Sequence, residues 1–226
     1  MKLRIKDIII EETKDYILVN KPPGILSQSD GTDDPSVIEL VSKHVGKKTH
    51  LLSRMDRPVS GIMILSKKKE FTKWFLKQLD NEQIFKRYIA IVEGHPEKDN
   101  STMKHFHVHD KKHKKARVSN EEDLFSKEIK LEYKLIEKLD RYSILDIELK
   151  SGKFHQIRSQ LAFCELPVKG DVKYGARRGN KDRSIHLHSY SINFKDRENK
   201  LKTFVASLDN EDTLWAIAKN KIDQQD

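Results

Sequence analysis

Apolar positions along the chain repeat with two different periods, and these periods distinguish strands from helices. Alternation or a compact apolar run predicts seven strands, at residues 15–20, 62–65, 84–92, 129–136, 142–149, 186–194 and 201–206. Apolar residues three and four positions apart predict four helices, one starting at Asp34 and Pro35 and the others at residues 71–79, 154–164 and 213–222. Because the strands do not alternate strictly with the helices, we expect an α+β fold rather than a doubly wound parallel sheet.

The segment at residues 95–127 shows neither period. It is polar and strongly basic, which is typical of a long loop over the surface. The strands predicted at 129–136 and 142–149 are joined by a short polar turn, and we expect them to form a hairpin. No internal repeat and no interdomain linker is evident, so we expect residues 1–226 to form a single domain.

The net charge and its distribution indicate a class of binding partner. The chain has 226 residues, and 44 Lys and Arg against 35 Asp and Glu give a formal charge of +9. The excess is clustered in KHVGKK, SKKKE and KKHKKAR. Clustered cations are typical of proteins that bind a polyanion, because each neutralised phosphate releases counterions. A well-solvated surface explains the same composition, so charge alone leaves both interpretations open.

The cysteine content and the lengths of the apolar runs indicate where in the cell the protein is expected. The single cysteine, Cys164, excludes a disulfide framework within the chain and a cysteine-based zinc site. The first residues show no signal-cleavage pattern, and no apolar run reaches the length of a membrane span. We therefore expect a cytoplasmic protein that does not enter a membrane.

The stretch SRMDRPVSG at residues 53–61 places Asp56 between Arg54 and Arg57, just before an apolar strand. Such an aspartate is most often half of a structural salt bridge. The functional alternative is a carboxylate that guanidinium neighbours keep ionised, ready to attack carbon or stabilise a developing cation. One carboxylate does not indicate a glycoside hydrolase, which normally uses a pair.

A second polar cluster opens the helix predicted at 154–164. His155 and Arg158 are three residues apart and share a helical face. Donors at a helix N-terminus suit an anion such as phosphate or carboxylate. An ordinary solvated helix start fits equally well, so this cluster does not decide between the two interpretations.

Lys86 and Tyr88 fall on one face of the strand predicted at 84–92. Tyr88 is either a core aromatic with a satisfied hydroxyl or a platform that stacks on an extruded base. A lysine on the same face favours the second interpretation.

Three histidines, His105, His107 and His109, would line one face of a strand. Histidines at this spacing can bind zinc. No carboxylate partner is evident and lysines crowd the sequence from Lys111 onward, so we expect a basic or solvated surface here and no metal site.

Five longer motifs occur in order: NKPPG (20–24), SRMDRPVSG (53–61), FKRYIAIVEG (85–94), SGKFHQIRSQLAFCELPVKGDVKYG (151–175) and IHLHSYSINF (185–194). In this order they resemble the motifs of the RluA-type family of RNA pseudouridine synthases. Each motif is weak alone, but five in register across residues 16–204 make the resemblance strong. The resemblance implies an α+β catalytic domain with a mixed, mostly antiparallel sheet, flanking helices and a central RNA-binding cleft.

The resemblance also implies an activity, the isomerisation of specific uridines to pseudouridine in structured rRNA or tRNA. By resemblance Asp56 is the catalytic aspartate, Arg158 is its salt-bridge partner, and Tyr88 packs on the target uracil. Arg54 would hold the flipped nucleotide or fill the gap that it leaves. No metal, nucleotide or redox cofactor is implied.

The sequence before Tyr16 is too short for the small S4-type RNA-binding module that many relatives carry, so we expect the catalytic domain to bind RNA by itself, as a monomer. The expected RNA contacts are Lys21, Arg54, Arg57, Lys86, Lys111, Lys112, Lys114, Lys115 and His155.

The chain departs from the family motifs at four positions. Ser53, Met55, Val59 and Lys153 replace the usual His, Leu, Thr and Arg. The changes in the loop around Asp56 leave open a non-catalytic RNA-binding protein that retains the fold. A nucleoside-bond hydrolase built on one carboxylate is a third possibility, although Tyr88 and Arg158 favour isomerisation.

Overall fold

The computed structural model describes residues 3–149, 152–209 and 211–224. The chain divides into two compact units, the first formed by Met1–Lys86 and His188–Ser207, the second by Arg87–Leu187 and Leu208–Asp226. Among the described residues, no helix is both long enough and apolar enough to cross a membrane. The prediction of a single domain concerns both units together and stays a prediction.

Strands and short helices alternate irregularly along the chain. The strands are β1 (Ile9–Glu12), β2 (Tyr16–Lys21), β3 (His50–Leu51), β4 (Ser60–Ser66), β5 (Phe85–Glu93), β6 (Asn100–Asp110), β7 (Lys115–Ser119), β8 (Lys127–Lys138), β9 (Tyr142–Leu149), β10 (Leu187–Lys195) and β11 (Leu201–Val205). The α-helices are α1 (Val37–Val45), α2 (Lys69–Asp80), α3 (Gln156–Phe163) and α4 (Thr213–Asp223). Short 3-10 turns lie at Ile5–Asp7 and Val172–Tyr174.

The first unit is a sheet with a helix on each face. Its strands follow the order β1-β2-β4-β10, with β3 on β4 and β11 on β10, and only β4 and β10 are parallel among the pairs in this order. Ile17 and Met63 pack with residues of α1, whereas Leu18 and Ile64 pack with residues of α2. Both faces are therefore covered, which explains why β2 and β4 read as continuous apolar runs rather than as alternating strands.

Helix α1 starts two residues later than the sequence predicts. Ser36 is its N-cap, since the Ser36 hydroxyl accepts the Glu39 N–H while the Glu39 carboxylate accepts the Ser36 N–H at 2.9 Å. This reciprocal capping box satisfies two free donors at the helix start. The predicted start at Asp34 and Pro35 is wrong, because Asp34 instead forms an ion pair with Arg57.

The second unit is built on a sheet in the order β5-β9-β8-β6-β7, in which the pairs β9–β8, β8–β6 and β6–β7 are antiparallel. Helix α3 contacts β6, β7 and β8, and α4 contacts β8. The hairpin predicted at 129–136 and 142–149 is confirmed as β8 and β9. The α+β class with a mixed, mostly antiparallel sheet is also confirmed.

The prediction of an irregular surface loop at 95–127 is wrong, because β6 and β7 form a regular antiparallel hairpin there. The buried residues of β6 alternate along the strand: Met103, His105 and His107. Two of these three residues are histidines, which a pattern of apolar positions scores as polar. The two-residue period of a strand is present in this sequence, but it is not recognised when histidines at the buried positions are counted as polar.

Candidate active site

Asp56 lies half-buried in the loop between β3 and β4, with the exposed side chains of Arg54 and Arg57 on either side. We call residues 52–59 the Asp56 loop. Its main chain turns at the aspartate itself, where the Val59 N–H donates to the Asp56 carbonyl at 3.1 Å.

The Asp56 loop is held mainly through backbone atoms. The Ser27 hydroxyl donates to the Met55 carbonyl at 2.6 Å and accepts the Met55 N–H at 3.1 Å. On the other side of the aspartate, the Arg57 carbonyl accepts the Gly24 N–H at 2.8 Å. The peptide groups before and after Asp56 are thus fixed by residues of the turn that follows β2, which limits the positions open to the carboxylate.

Lys21 completes this support from below the surface. Its side chain is 0% exposed, and its ammonium donates to the carbonyls of Pro22, Ile25 and Arg57 at 3.0, 3.1 and 3.2 Å. Burial lowers the pKa of Lys21 to about 7, and the negative charge of Asp56 opposes this shift. The expected RNA contact is not supported here, because all three ammonium donors are occupied by carbonyls inside the protein.

The strand that follows the loop is fixed by a close backbone approach. Gly61 has φ +113°, and a Cβ there would lie 2.3 Å from the Ser189 carbonyl oxygen. One residue earlier, the Ser60 hydroxyl bonds to His188 Nδ1 at 2.8 Å, and His188 Nε2 donates to the Ala206 carbonyl at 3.3 Å. Because Nε2 must carry the proton, Nδ1 accepts from Ser60, and burial lowers the pKa of His188 to about 4.

The flanking arginines differ in how they are held. Arg57 Nε donates to the Gly24 carbonyl at 2.8 Å, and its Nη2 lies 2.8 Å from the Asp34 carboxylate. Arg54 and Arg57 both remain exposed, as their expected RNA contacts require.

In the second unit, Arg158 lies in the first turn of α3 and is only 4% exposed. Its Nε and Nη2 donate to the two carboxylate oxygens of Asp171 at 2.6 and 2.8 Å. The guanidinium also lies over the Tyr174 ring, 5.0 Å from its centre. A bidentate ion pair under an aromatic ring fixes the direction of the guanidinium. The predicted pairing of Arg158 with Asp56 stays a prediction.

Sequence reasoning missed Asp171 and Tyr174 as functional neighbours of Arg158. Both belong to the GDVKYG end of the motif at 151–175, so the motif contained the signal, although no local rule pairs positions thirteen and sixteen apart. Ser151, the first residue of that motif, lies outside the described residues.

His155 adopts a left-handed backbone conformation, φ 53°, at the N-cap of α3. Its ring stacks on Phe154 at 3.8 Å between centres, and its Nδ1 lies 2.8 Å from the Tyr174 hydroxyl. Burial and then the positive charge of Arg158 lower the pKa of His155 to about 3. At neutral pH the imidazole is therefore uncharged, and an RNA contact through it would be a neutral hydrogen bond.

The three histidines of β6 all pack against the segment that carries α3. His107 Nε2 donates to the Phe154 carbonyl at 2.9 Å, the His109 ring stacks on Phe154, and His105 Nδ1 lies 3.1 Å from the Gln160 side-chain amide. Across the described parts of the chain, no group of three His, Cys, Asp or Glu side chains is arranged to hold a metal ion.

The two β5 residues of interest differ in exposure. Tyr88 is half-buried, and its stacking on a uracil stays a prediction. Lys86 is only 8% exposed, and burial lowers its pKa to about 8, so its placement gives little support to the expected RNA contact. The cations at the tip of the β6–β7 hairpin are exposed: Lys111, Lys112, Lys114 and Lys115.

Comparison with known proteins places this geometry in a family. A family model described as RNA pseudouridylate synthase matches residues 15–163. The chain is 29% identical over 212 residues to ribosomal large subunit pseudouridine synthase D of Borreliella burgdorferi, covering 88% of this chain and 64% of that protein. It is 28% identical over 185 residues to tRNA pseudouridine synthase C of Salmonella typhimurium, covering 76% and 70%. The chain thus spans about two thirds of the length of these relatives.

Solved structures show the same fold. Human RNA pseudouridylate synthase domain containing 4 superimposes with a TM-score of 0.76 at 18% identity, covering 96% of this chain and 94% of that one. Human RNA pseudouridylate synthase domain containing 1 gives 0.75 at 18% identity, covering 90% and 83%. The region matched by the family model, residues 15–163, contains the Asp56 loop, β5 and the first turn of α3. The chain belongs to the RNA pseudouridylate synthase family, of the RluA type that its five motifs resemble.

Proposed function

We propose that the protein is an RNA pseudouridine synthase that isomerises specific uridines in structured rRNA or tRNA. The observation that carries this proposal is the family match at residues 15–163, which includes Asp56, Tyr88 and Arg158. The names of the two relatives indicate one that serves the large ribosomal subunit and one that serves tRNA. Uridine in structured RNA is therefore the substrate class.

The chemistry matches three side chains that the family motifs contain. The reaction breaks the uridine N1–C1′ bond, turns the base and joins C5 to C1′. The C5 proton is released and N1 takes up a proton, so substrate and product are isomers and the atoms balance. Asp56 is the proposed reacting carboxylate, Arg158 its charge partner, and Tyr88 the ring that retains the detached uracil. The Asp56 loop suits this role because its backbone is fixed on both sides of the carboxylate.

The tip of the β6–β7 hairpin is the proposed RNA-binding surface outside the reacting centre, together with Arg54. Four lysines at this tip are exposed: Lys111, Lys112, Lys114 and Lys115. Their positive charges can neutralise RNA phosphates without a fixed contact geometry. Changing all four to glutamine should weaken RNA binding and lower the slope of log affinity against log salt by about 0.9 for each lost phosphate contact.

A matched control removes the same charge elsewhere. Changing Lys14, Lys73, Lys77 and Lys195 to glutamine lowers the net charge equally in the first unit, at exposed positions outside the proposed RNA surface and outside the three basic clusters. Filter binding at several salt concentrations compares the two variants. Equal slopes for the hairpin variant and the wild type would refute the role of the hairpin.

The loop departures do not favour the non-catalytic alternative. Val59 is buried at 3% exposure, and Met55 packs on the apolar cluster around α1. The hydrogen bonds that fix the loop to the turn after β2 involve the backbone atoms of Met55 and Arg57, which any side chain at these positions would provide. We propose further that the protein acts in the cytoplasm and that it is a monomer. Light scattering at working concentration tests the monomer, and fractionation of cells tests the location.

Release of tritium from RNA labelled at uracil C5 tests the proposed activity, because joining C5 to the sugar expels that label. Unmodified ribosomal RNA and unmodified tRNA transcripts are supplied separately to the wild-type protein. We expect release from one of them, with pseudouridine found in the digested product. Tight binding without release from either RNA would support the non-catalytic alternative. Free uracil that still carries the tritium would indicate a hydrolase, because hydrolysis of the N1–C1′ bond leaves C5 unchanged.

A further inference from the structure

We propose that Tyr174 is a positioning residue for this reaction, whose hydroxyl ties the basic β6–β7 hairpin to the start of α3 and whose ring supports Arg158. This inference rests on the proposed function, because it assigns a role in orienting a residue proposed to serve the chemistry. Every contact that carries it lies within the second unit.

The Tyr174 hydroxyl joins two parts of the chain that are distant in sequence. It accepts the buried Ala116 N–H of β7 at 2.8 Å, and it lies 2.8 Å from His155 Nδ1 at the N-cap of α3. A hydroxyl has one proton and two lone pairs. Ala116 donates to one lone pair, and the proposed relay places the tyrosine proton toward His155, where Nδ1 accepts it. The hydroxyl is therefore a relay between the hairpin and the helix that carries Arg158.

This relay fixes the tautomer of His155. Because Nδ1 accepts from Tyr174, the proton of the neutral imidazole is on Nε2, and the ring presents an N–H donor there. The low pKa of His155, about 3, keeps the ring in this neutral form across the physiological range. The ring also belongs to a stack with Phe154 and His109, which helps hold the left-handed backbone at His155.

The face of the Tyr174 ring lies close to two positively charged side chains. The Arg158 guanidinium lies 5.0 Å and the Lys115 ammonium 5.2 Å from the ring centre. Lys115 is one of the exposed hairpin lysines proposed to meet RNA, whereas Arg158 is buried and bound to Asp171. The neighbouring Lys173 donates to the Lys114 carbonyl and secures the same turn. One ring therefore contacts both a proposed RNA-binding cation and a proposed active-site cation.

The consequence is that RNA held by the hairpin orients the start of α3 through Tyr174. If so, changes in the hairpin lysines and in Tyr174 are not independent in their effect on turnover. Tyr174→Phe retains the ring over Arg158 and removes only the relay, and Tyr174→Ala removes both. Tyr133→Phe is the matched control, because Tyr133 is also buried in this unit and its hydroxyl donates to the Lys98 carbonyl.

The kinetic test measures kcat and KM by tritium release for these variants. We expect Tyr174→Phe to lower kcat about tenfold, the size of one lost buried hydrogen bond, and Tyr174→Ala to lower it further. Tyr133→Phe should leave kcat within about twofold of the wild type, even if it lowers the melting temperature as much as Tyr174→Phe does. Combining Tyr174→Phe with the four hairpin substitutions should cost less than the product of the separate losses. Equal kcat values for Tyr174→Phe and Tyr133→Phe, or fully multiplicative losses, would overturn the proposal.

A second measurement does not depend on activity. Long-range ¹H–¹⁵N spectra of the histidine rings should show His155, assigned with His155→Gln, as the neutral tautomer protonated on Nε2. Tyr174→Phe should change that signature and speed exchange of the Ala116 amide. A wild-type His155 protonated on Nδ1 would overturn the relay. If the wild type releases no tritium while the spectra match, the proposed function fails and the positioning role in turnover fails with it, but the geometry of the relay stands.

Discussion

The Asp56 loop and the start of α3 each hold one ionised side chain proposed to serve the reaction, but they hold it by different means. Around Asp56, the supporting hydrogen bonds reach backbone carbonyls and N–H groups of Met55 and Arg57. Around Arg158, the supports are the side chains of neighbouring residues, a carboxylate and an aromatic ring.

This difference explains where the sequence is free to vary. A loop held by its backbone keeps its shape when side chains change, and three of the four departures from the family motifs fall in the Asp56 loop: Ser53, Met55 and Val59. A segment held by side chains depends on the identity of those side chains. We therefore expect substitutions at Asp171 and Tyr174 to cost more than substitutions at the departed loop positions.

The largest effect is expected at Asp171. Asp171→Asn removes the carboxylate that binds buried Arg158 through two oxygens, and breaking a buried pair costs ~3–5 kcal/mol of unfolding free energy. We expect turnover to fall at least about 100-fold as the guanidinium loses its direction. Urea denaturation and tritium release measure the two effects.

Asp146→Asn provides the control for Asp171. Asp146 also binds an arginine in the second unit, but both its side chain and that of Arg87 are partly exposed, so we expect a loss of at most ~1 kcal/mol. Equal losses for the two variants would contradict the buried role of Asp171.

A comparable loss is expected at Gly61 in β4, just after the Asp56 loop, where the backbone contact depends on the residue type. Gly61→Ala places a methyl group 2.3 Å from the Ser189 carbonyl oxygen, and relieving the overlap should cost ~3 kcal/mol. Gly46→Ala is the control, because Gly46 also has a positive φ but has no atom within 4 Å of the added Cβ. It should cost only ~1 kcal/mol, the cost of the backbone conformation alone. Similar losses in urea denaturation would mean that the close approach to β10 is unimportant.

The pH dependence of stability tests one buried or half-buried histidine in each region. His188 is neutral when folded, with a pKa lowered to about 4, and the unfolded chain takes up its proton near pH 6.5. Stability is therefore retained above pH 6.5 and lost as the pH falls towards 4, and His188 should account for ~2 kcal/mol between pH 7 and pH 5.

The matching variants are His188→Gln and His155→Gln, compared by urea denaturation at pH 7 and pH 5. Both imidazoles stay neutral in the folded chain between these pH values, because their pKa values are lowered to about 4 and about 3, so each variant should lose a similar share of the acid sensitivity. An unchanged loss of stability between the two pH values in His188→Gln would exclude His188 as its source.

The smallest effect is expected where the loop departs from the family. Val59→Thr restores the usual hydroxyl at a site that is 3% exposed. Because the loop is held by backbone atoms, kcat/KM should change by less than about threefold, with ~1 kcal/mol lost to burying the hydroxyl. A tenfold gain in kcat/KM would show instead that the missing hydroxyl limits the enzyme.

Apolar periodicity predicted the elements whose cores are made of aliphatic and aromatic residues, such as β2, β4 and α2. It failed at β6, where histidines carry the buried face, and at the start of α1, where the Ser36 and Glu39 capping box prevails over Asp34 and Pro35. Motif resemblance supplied Asp56 and Arg158, but not the supports of Arg158. The Asp171 and Tyr174 contacts join residues that only the folded chain brings together, and the left-handed backbone of His155 has no signal in residue type.

The central claim is that Asp56 serves the chemistry and not the binding of RNA. Single-turnover tritium release and RNA affinity should be measured for the wild type, Asp56→Asn and Asp34→Asn, the last of which removes the exposed carboxylate that pairs with Arg57. We expect no release from Asp56→Asn with RNA affinity within about threefold of the wild type, and nearly normal release from Asp34→Asn. Release by Asp56→Asn at the wild-type rate would contradict the account.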